Sequence, residues 1–301
     1  MIQPLDFARR ARDAVRRRHA RLRYDYYVKR NAFLQNREGL AVERYEGRVP
    51  LVLDDVDPDL VAAFSNKFDP QRVEKNAFKA DDDIMFFVHI PKTAGTSLGR
   101  TLKDNYDVFR PVKWDNINPT FQAAVEIAYA DRTVGRQAII GHYSWHQINS
   151  VRARDLPVQA GAFVRDPVAR LTSNYDYNSS PAHPARDRFM KRFPSFEAYC
   201  DSVRPNFQCW LLAGGNRSLE TVLKTLVDHY TFLGVTEAFD ASLEHLGASH
   251  GFDKLAVFDS NRAPSGAPRT HVSPSVRTML YDRHADDLRL VRMLKGFYGV
   301  S

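Results

Sequence analysis

The segment "IMFFVHIPKTAGTSLGRTL", Ile84 to Leu102, constrains the fold more than any other part of the chain. An apolar run is cut by Pro91, and a helical pattern begins at about Thr96. The run "IMFFVHI" is too short for a buried helix and reads as a strand. The strand-then-helix order then recurs. "AGAFV" precedes a helix from about Val168, "FLGVT" precedes a helix from about Phe239, and "QAIIGHY" and "LAVFD" add two more strands. Strands separated in this way by helices pair in parallel and carry helices on both faces. Ligands of such sheets bind outside the carboxyl ends of the strands. The residues that follow each strand are therefore the candidates for function.

The loop after the first strand fits an anion. Gly95 lets the backbone come close to a ligand. Thr96 or Ser97 starts the helix, where unpaired N–H groups and the positive end of the dipole attract negative charge. Lys92 adds a full charge, and Thr93, Thr96 and Ser97 add hydroxyls. An ordinary glycine turn with a threonine cap needs neither the lysine nor so many hydroxyls. The order of residues narrows the chemistry. A nucleotide-hydrolysing loop places its lysine after the last glycine, in a GK[ST] triplet. Here Lys92 precedes Gly95, and no such triplet follows.

"AGAFVRDPVARLTSNYDY", Ala160 to Tyr177, is a second strand-to-helix junction. Asp166 is a good N-cap and Pro167 suits the first helical position. Arg165 stands at the strand end, and Ser173 lies about two turns into the helix. Taken alone, this stretch reads equally well as an ordinary helix start. "IIGHYSW" puts His142 at the end of another strand, on the same edge. A histidine there can take a proton from a hydroxyl near neutral pH, or can simply cap the strand. His89 falls inside the first strand, one residue before Ile90, and is expected to be buried and structural. His146 follows His142 by four, a spacing that suits a metal pair on a helix, but Tyr143 to Trp145 read as a strand end and no third ligand is evident. No metal site is expected.

The charge of +7 is unevenly placed. Residues 1–40 hold 11 Lys and Arg against 4 Asp and Glu, leaving 32 of each sign in the rest of the chain. A body neutral overall is not that of a general nucleic-acid binder. Residues 5–35 read as a basic amphipathic helix, which can lie on an anionic membrane surface or pack on the body or a second subunit. No apolar run approaches the roughly 20 residues of a membrane span, and the N-terminus lacks the apolar region of a secretory signal. Cys200 and Cys209 are expected to be free thiols in a reducing, cytoplasmic compartment. Residues 40–83 read as a connecting segment with a short helix near Leu60 to Ser65. The expected division is residues 1–80, basic helix and connector, and 81–301, the α/β domain.

"FVHIPKTAGTSL" closely resembles the 5′-phosphosulfate loop of the sulfotransferases, in particular the carbohydrate-type branch that includes heparan sulfate 2-O-sulfotransferase and bacterial relatives. The resemblance covers about residues 84–300. It implies a P-loop-like three-layer α/β/α fold with a central parallel sheet. It also implies transfer of a sulfuryl group from 3′-phosphoadenosine 5′-phosphosulfate (PAPS) to a hydroxyl, of a polysaccharide, glycolipid or surface glycan. By the same resemblance Lys92, Thr93, Ala94, Gly95, Thr96 and Ser97 hold the 5′-phosphosulfate, Lys92 also stabilises the leaving group, and Arg165 and Ser173 hold the 3′-phosphate. A Gly-His context in that branch points to His142 as the base. "NFQCWLLAGG" and "FLGVTEAFDASLEHL" are looser echoes, and "GAPRTHVS" falls where relatives have a loop over the nucleotide, with Arg269 as the residue that closes. The alternatives are a nucleotide kinase or NTPase, disfavoured by the lysine order, and a non-catalytic anion- or glycan-binding protein on the same fold.

Overall fold

The five residues Ile84–Val88 are buried on both faces, which only a strand in the middle of a covered sheet can be. The computed structural model describes residues 52–78, 84–112, 117–130, 135–154, 158–255 and 270–300. Its described strands are β1 (Ile84–Val88), β2 (Val108–Pro111), β3 (Gln137–Gly141), β4 (Gln159–Val164) and β5 (Tyr230–Val235). They form one parallel sheet in the order β2-β3-β1-β4-β5. The described α-helices, in chain order, are α1 (Pro58–Phe68), α2 (Gly95–Asn105), α3 (Ile117–Ala130), α4 (Trp145–Arg152), α5 (Pro167–Ser179), α6 (Arg186–Arg192), α7 (Phe196–Ser202), α8 (Phe207–Ala213), α9 (Leu219–His229), α10 (Phe239–His250), α11 (Pro274–Arg283) and α12 (Ala285–Phe297).

The period of two along β1 sorts its side chains between two cores. Ile84, Phe86 and Val88 face a layer that takes apolar residues from α1, α3, α4, α8, α9 and α12. Met85 and Phe87 face the opposite layer, filled by Leu98 and Leu102 of α2 and by Leu243 and Leu246 of α10. Each fully buried aliphatic or aromatic side chain contributes about 1.5–3 kcal/mol relative to exposure. This is the three-layer α/β/α arrangement that the alternation of strands and helices predicts. A third cluster joins α5, α7 and α11 through Leu171, Tyr199 and Leu280. It packs α5 against α7 and α11.

Several boundaries differ from the sequence reading. The helix near Leu60 runs from Pro58 to Phe68, capped by Asp57, and buries Phe64 and Phe68 in the main core. β2 and α3 are not anticipated. β2 is a four-residue edge strand, partly exposed and ending in Pro111, so it carries no apolar alternation. Only Leu255 of the expected "LAVFD" strand is described, and the rest of it lies outside the described residues, as does the basic helix of residues 5–35. Among the described residues no helix is long and apolar enough to cross a membrane. Cys200 and Cys209 are both buried free thiols, and burial pushes both up from the usual thiol range.

Candidate active site

β3, β1 and β4 are adjacent and parallel, so the residues following all three emerge side by side on one edge. Lys92 follows β1, His142 follows β3 and Arg165 follows β4. The predicted loop, base and second anion residue are thereby gathered in space from positions that span 73 residues.

The β1 loop is tightly wound. Lys92 has φ of 73° and Ala94 has φ of 59°, both in the left-handed region, and Thr93 between them is not. Holding a non-glycine residue there costs roughly 1–3 kcal/mol. Alternating handedness of this kind turns successive backbone N–H groups into a concavity that suits an anion. Ala94 is the N-cap of α2 and has no side chain to cap it, and no acidic residue lies in the first turn. By contrast Asp57, Asp166, Ser195, Ser218 and Ser273 cap their helices with side-chain oxygens. Thr93 is buried and donates its hydroxyl to the Ile90 carbonyl at 2.8 Å. Its side chain therefore closes the turn instead of facing outward. Thr96 is exposed at the first turn, and Ser97 is buried beneath it.

Arg165 is gripped at its backbone. Gln208, fully buried at the start of α8, accepts from the Arg165 N–H at 2.9 Å and donates to the Arg165 carbonyl at 2.7 Å. The buried Asp287 carboxylate in turn accepts from the Gln208 and Cys209 N–H groups, at 3.1 and 2.8 Å, and so caps α8. This gives the "NFQCWLLAGG" segment a concrete role, since it sets the strand end where Arg165 sits. The guanidinium reaches across and donates from Nη1 to the Lys92 carbonyl at 3.1 Å. Burial lowers the pKa of both Arg165 and Lys92, and for Lys92 the nearby Arg165 charge adds to the effect. Two desolvated cations held together at strand ends are what a polyanion site requires.

α5 supplies the flank. Asp166 caps it by accepting from Ala169 N–H at 2.9 Å, and also accepts from the Tyr281 hydroxyl at 3.0 Å. Glu237, just after β5, accepts from the Asp166 N–H at 2.8 Å. Its other oxygen is buried without a partner, and burial raises its pKa. Lys92 Nζ lies 4.2 Å from the centre of the Tyr177 ring. Ser173 is one helical turn before Tyr177, so the two share one face of α5. Arg269 lies outside the described residues. The next residue, Thr270, donates from both its N–H and its hydroxyl to Asp176 of α5, at 3.1 and 2.5 Å.

His142 follows Gly141, the last residue of β3. Its Nδ1 lies 2.6 Å from the His89 carbonyl oxygen. A carbonyl can only accept, so Nδ1 carries the proton and Nε2 keeps its lone pair. Burial lowers the His142 pKa, against the opposing pull of that hydrogen bond. His89 corrects the sequence reading. It lies one residue beyond β1, is only partly buried, and stacks on His142 with ring centres 4.3 Å apart. Tyr143 to Trp145 are also not a strand end. Gln147 accepts from the N–H and hydroxyl of Ser144, at 3.0 and 2.6 Å, and starts α4 at Trp145. His146 is therefore on a helix and exposed, while His142 precedes that helix. Gly214, with φ of 71°, passes so close to His146 that a Cβ would lie 2.7 Å from its backbone nitrogen. Among the described residues no group of three or more His, Cys, Asp or Glu side chains is placed to hold a metal. A separate cavity of about 450 Å³, lined by Arg204, Trp210, Arg217 and Arg283 among others, includes none of Lys92, His142 and Arg165.

A family model described as the sulfotransferase family matches residues 75–290. Among solved structures, the crystal structure of mouse sulfotransferase SULT7A1 complexed with PAP is similar at 15% identity, over 81% of this chain and 94% of that one, with a TM-score of 0.45. No curated protein matches the chain.

Proposed function

The chain belongs to the sulfotransferase family, and from that premise we propose that it transfers a sulfuryl group from PAPS to a hydroxyl of a sugar-containing acceptor. The observation that carries this reading is the pairing of Lys92 and Arg165. They are desolvated cations from adjacent strand ends, joined by a 3.1 Å hydrogen bond, with the His142 ring beyond the third strand end. PAPS carries two anionic groups, and this edge offers a cation from each of two neighbouring strand ends to hold them.

In this reading the N–H groups from Ala94 to Ser97, the hydroxyls of Thr96 and Ser97, and the Lys92 ammonium hold the 5′-phosphosulfate. Thr93 shapes the turn. Arg165 and Ser173 hold the 3′-phosphate, and Arg269 closes over the nucleotide. His142 Nε2 takes the acceptor proton as the acceptor oxygen bonds to sulfur. Lys92 neutralises the charge that builds on the 5′-phosphate oxygen as the bond from sulfur to that oxygen breaks, leaving PAP. No step calls for a metal. A basic segment at residues 5–35 would serve a peripheral membrane or acidic-acceptor contact, and the two buried thiols suit a cytoplasmic setting.

Arg165→Ala tests the donor assignment. A charge-assisted hydrogen bond to phosphate is worth about 1.5–3 kcal/mol, so PAP should bind roughly ten- to a hundredfold more weakly. Adenosine 5′-phosphosulfate, which lacks the 3′-phosphate, should lose much less. Equal losses for both ligands in calorimetric titrations would remove Arg165 from the 3′-phosphate site.

A further inference from the structure

We propose that His89 is a positioning residue for the transfer step, its ring acting as a flat spacer between the phosphosulfate loop and the base. The proposal rests on the sulfuryl-transfer reading above and on contacts independent of it. The backbone of His89 extends the sheet by one step. Its N–H donates to the Gly141 carbonyl at 2.8 Å, and its own carbonyl accepts from His142 Nδ1 at 2.6 Å. The peptide on either side of this one residue thus orients the base.

The side chain is clamped on both faces. On one side it lies against the His142 imidazole, with ring planes 24° apart and centres 4.3 Å apart. On the other it covers Gly95, the first residue of α2. A Cβ added to Gly95 would fall 1.8 Å from His89 Nε2 and 2.3 Å from Cε1. This is the physical reason for glycine at that position, since even a methyl group would displace the ring. The distance from the first N–H groups of α2 to the base is therefore set by the thickness of one imidazole. No hydrogen bond from its ring nitrogens is found among the described residues, so the ring is held by its faces. Shape, and not donor or acceptor chemistry, is what the position uses.

Charge fits the same role. Burial, His142 and Lys92 together hold the His89 pKa down to about 3. The ring stays neutral while His142 gains a proton beside it. A cationic spacer would repel the imidazolium, and an acidic one would draw Lys92 away from the donor.

The test compares His89→Leu with His89→Phe, using turnover with radiolabelled PAPS and a panel of sugar acceptors, PAP affinity by calorimetry, and thermal unfolding. Leucine matches the bulk but not the flatness. We expect His89→Leu to stay folded and bind PAP within about threefold of wild type while kcat falls roughly tenfold or more, the scale of misplacing reacting groups. His89→Phe should recover most of that kcat. Equal kcat in the two variants, at any level, overturns the proposal. So does a loss of kcat that follows loss of PAP affinity or of folding in both, which would make the ring purely structural. Absence of transfer by the wild type in the same assay would sink the sulfotransferase reading itself.

Discussion

Lys92→Ala should lose nearly all sulfuryl transfer, by a factor on the order of 10²–10³ or more, and should also weaken PAP binding. Removing one preorganised donor from a transition-state site costs about that much, even when the donor is neutral. Lys92 supplies a full charge from a position where burial has already removed part of its hydration. Its ammonium is steadied by the Tyr177 ring at 4.2 Å, and its carbonyl is tied to Arg165. The charge therefore acts at short range with little reorganisation. Alanine keeps the same left-handed backbone demand as lysine, so the loss should come from the side chain and not from a refolded loop. Turnover and PAP affinity of the variant, with unfolding as the control, check this. Wild-type turnover would mean that the β1 loop holds something other than the reacting group.

His142→Ala separates the base from the donor site. A general base contributes roughly 10²–10⁴ in rate, and it acts on the acceptor. Turnover should fall by that range while PAP affinity stays near the wild-type value. The pH dependence has a definite sign. His142 must be unprotonated to accept a proton, and burial lowers its pKa below the ordinary 6.5. The wild-type rate should therefore be flat near neutrality and decline only on the acid side of pH 6.5, as His142 becomes protonated. That limb should vanish from the residual rate of the variant. Retention of full rate in His142→Ala, or an acid limb that survives in it, would assign the base to another group.

The parts of this site that sequence makes legible are those whose chemistry is local. Lys92, Gly95 and the hydroxyls stand within a few residues of one strand end, so the loop can be picked out as a candidate anion site before any fold is known. His142 and Arg165 can be picked out as candidates for the same reason, each being the first polar group after an apolar run. What cannot be read is support that arrives from far along the chain. Gln208 lies 43 positions from Arg165 and Glu237 lies 71 from Asp166, and both act on backbone groups. Their side chains carry no pattern that would reveal those partners. His89 was hidden by its neighbours. The apolar run continues to Ile90, but the β1 register ends at Val88, and the next residue stacks on His142. Tyr143 and Trp145 favour strand by propensity, and the Ser144–Gln147 bonds override that preference by starting a helix.

Ligand-dependent melting tests the central claim most directly, because it needs no knowledge of the acceptor. A ligand at about a hundred times its dissociation constant stabilises the fold by ~2.7 kcal/mol. If Lys92 and Arg165 hold the two anionic ends of a 3′-phosphorylated adenylate, PAP should raise the melting temperature clearly. ATP with Mg²⁺ at the same concentration should do far less, since the loop lacks the lysine order of a nucleotide-hydrolysing site. A shift with ATP and Mg²⁺ that equals or exceeds the shift with PAP would contradict the account.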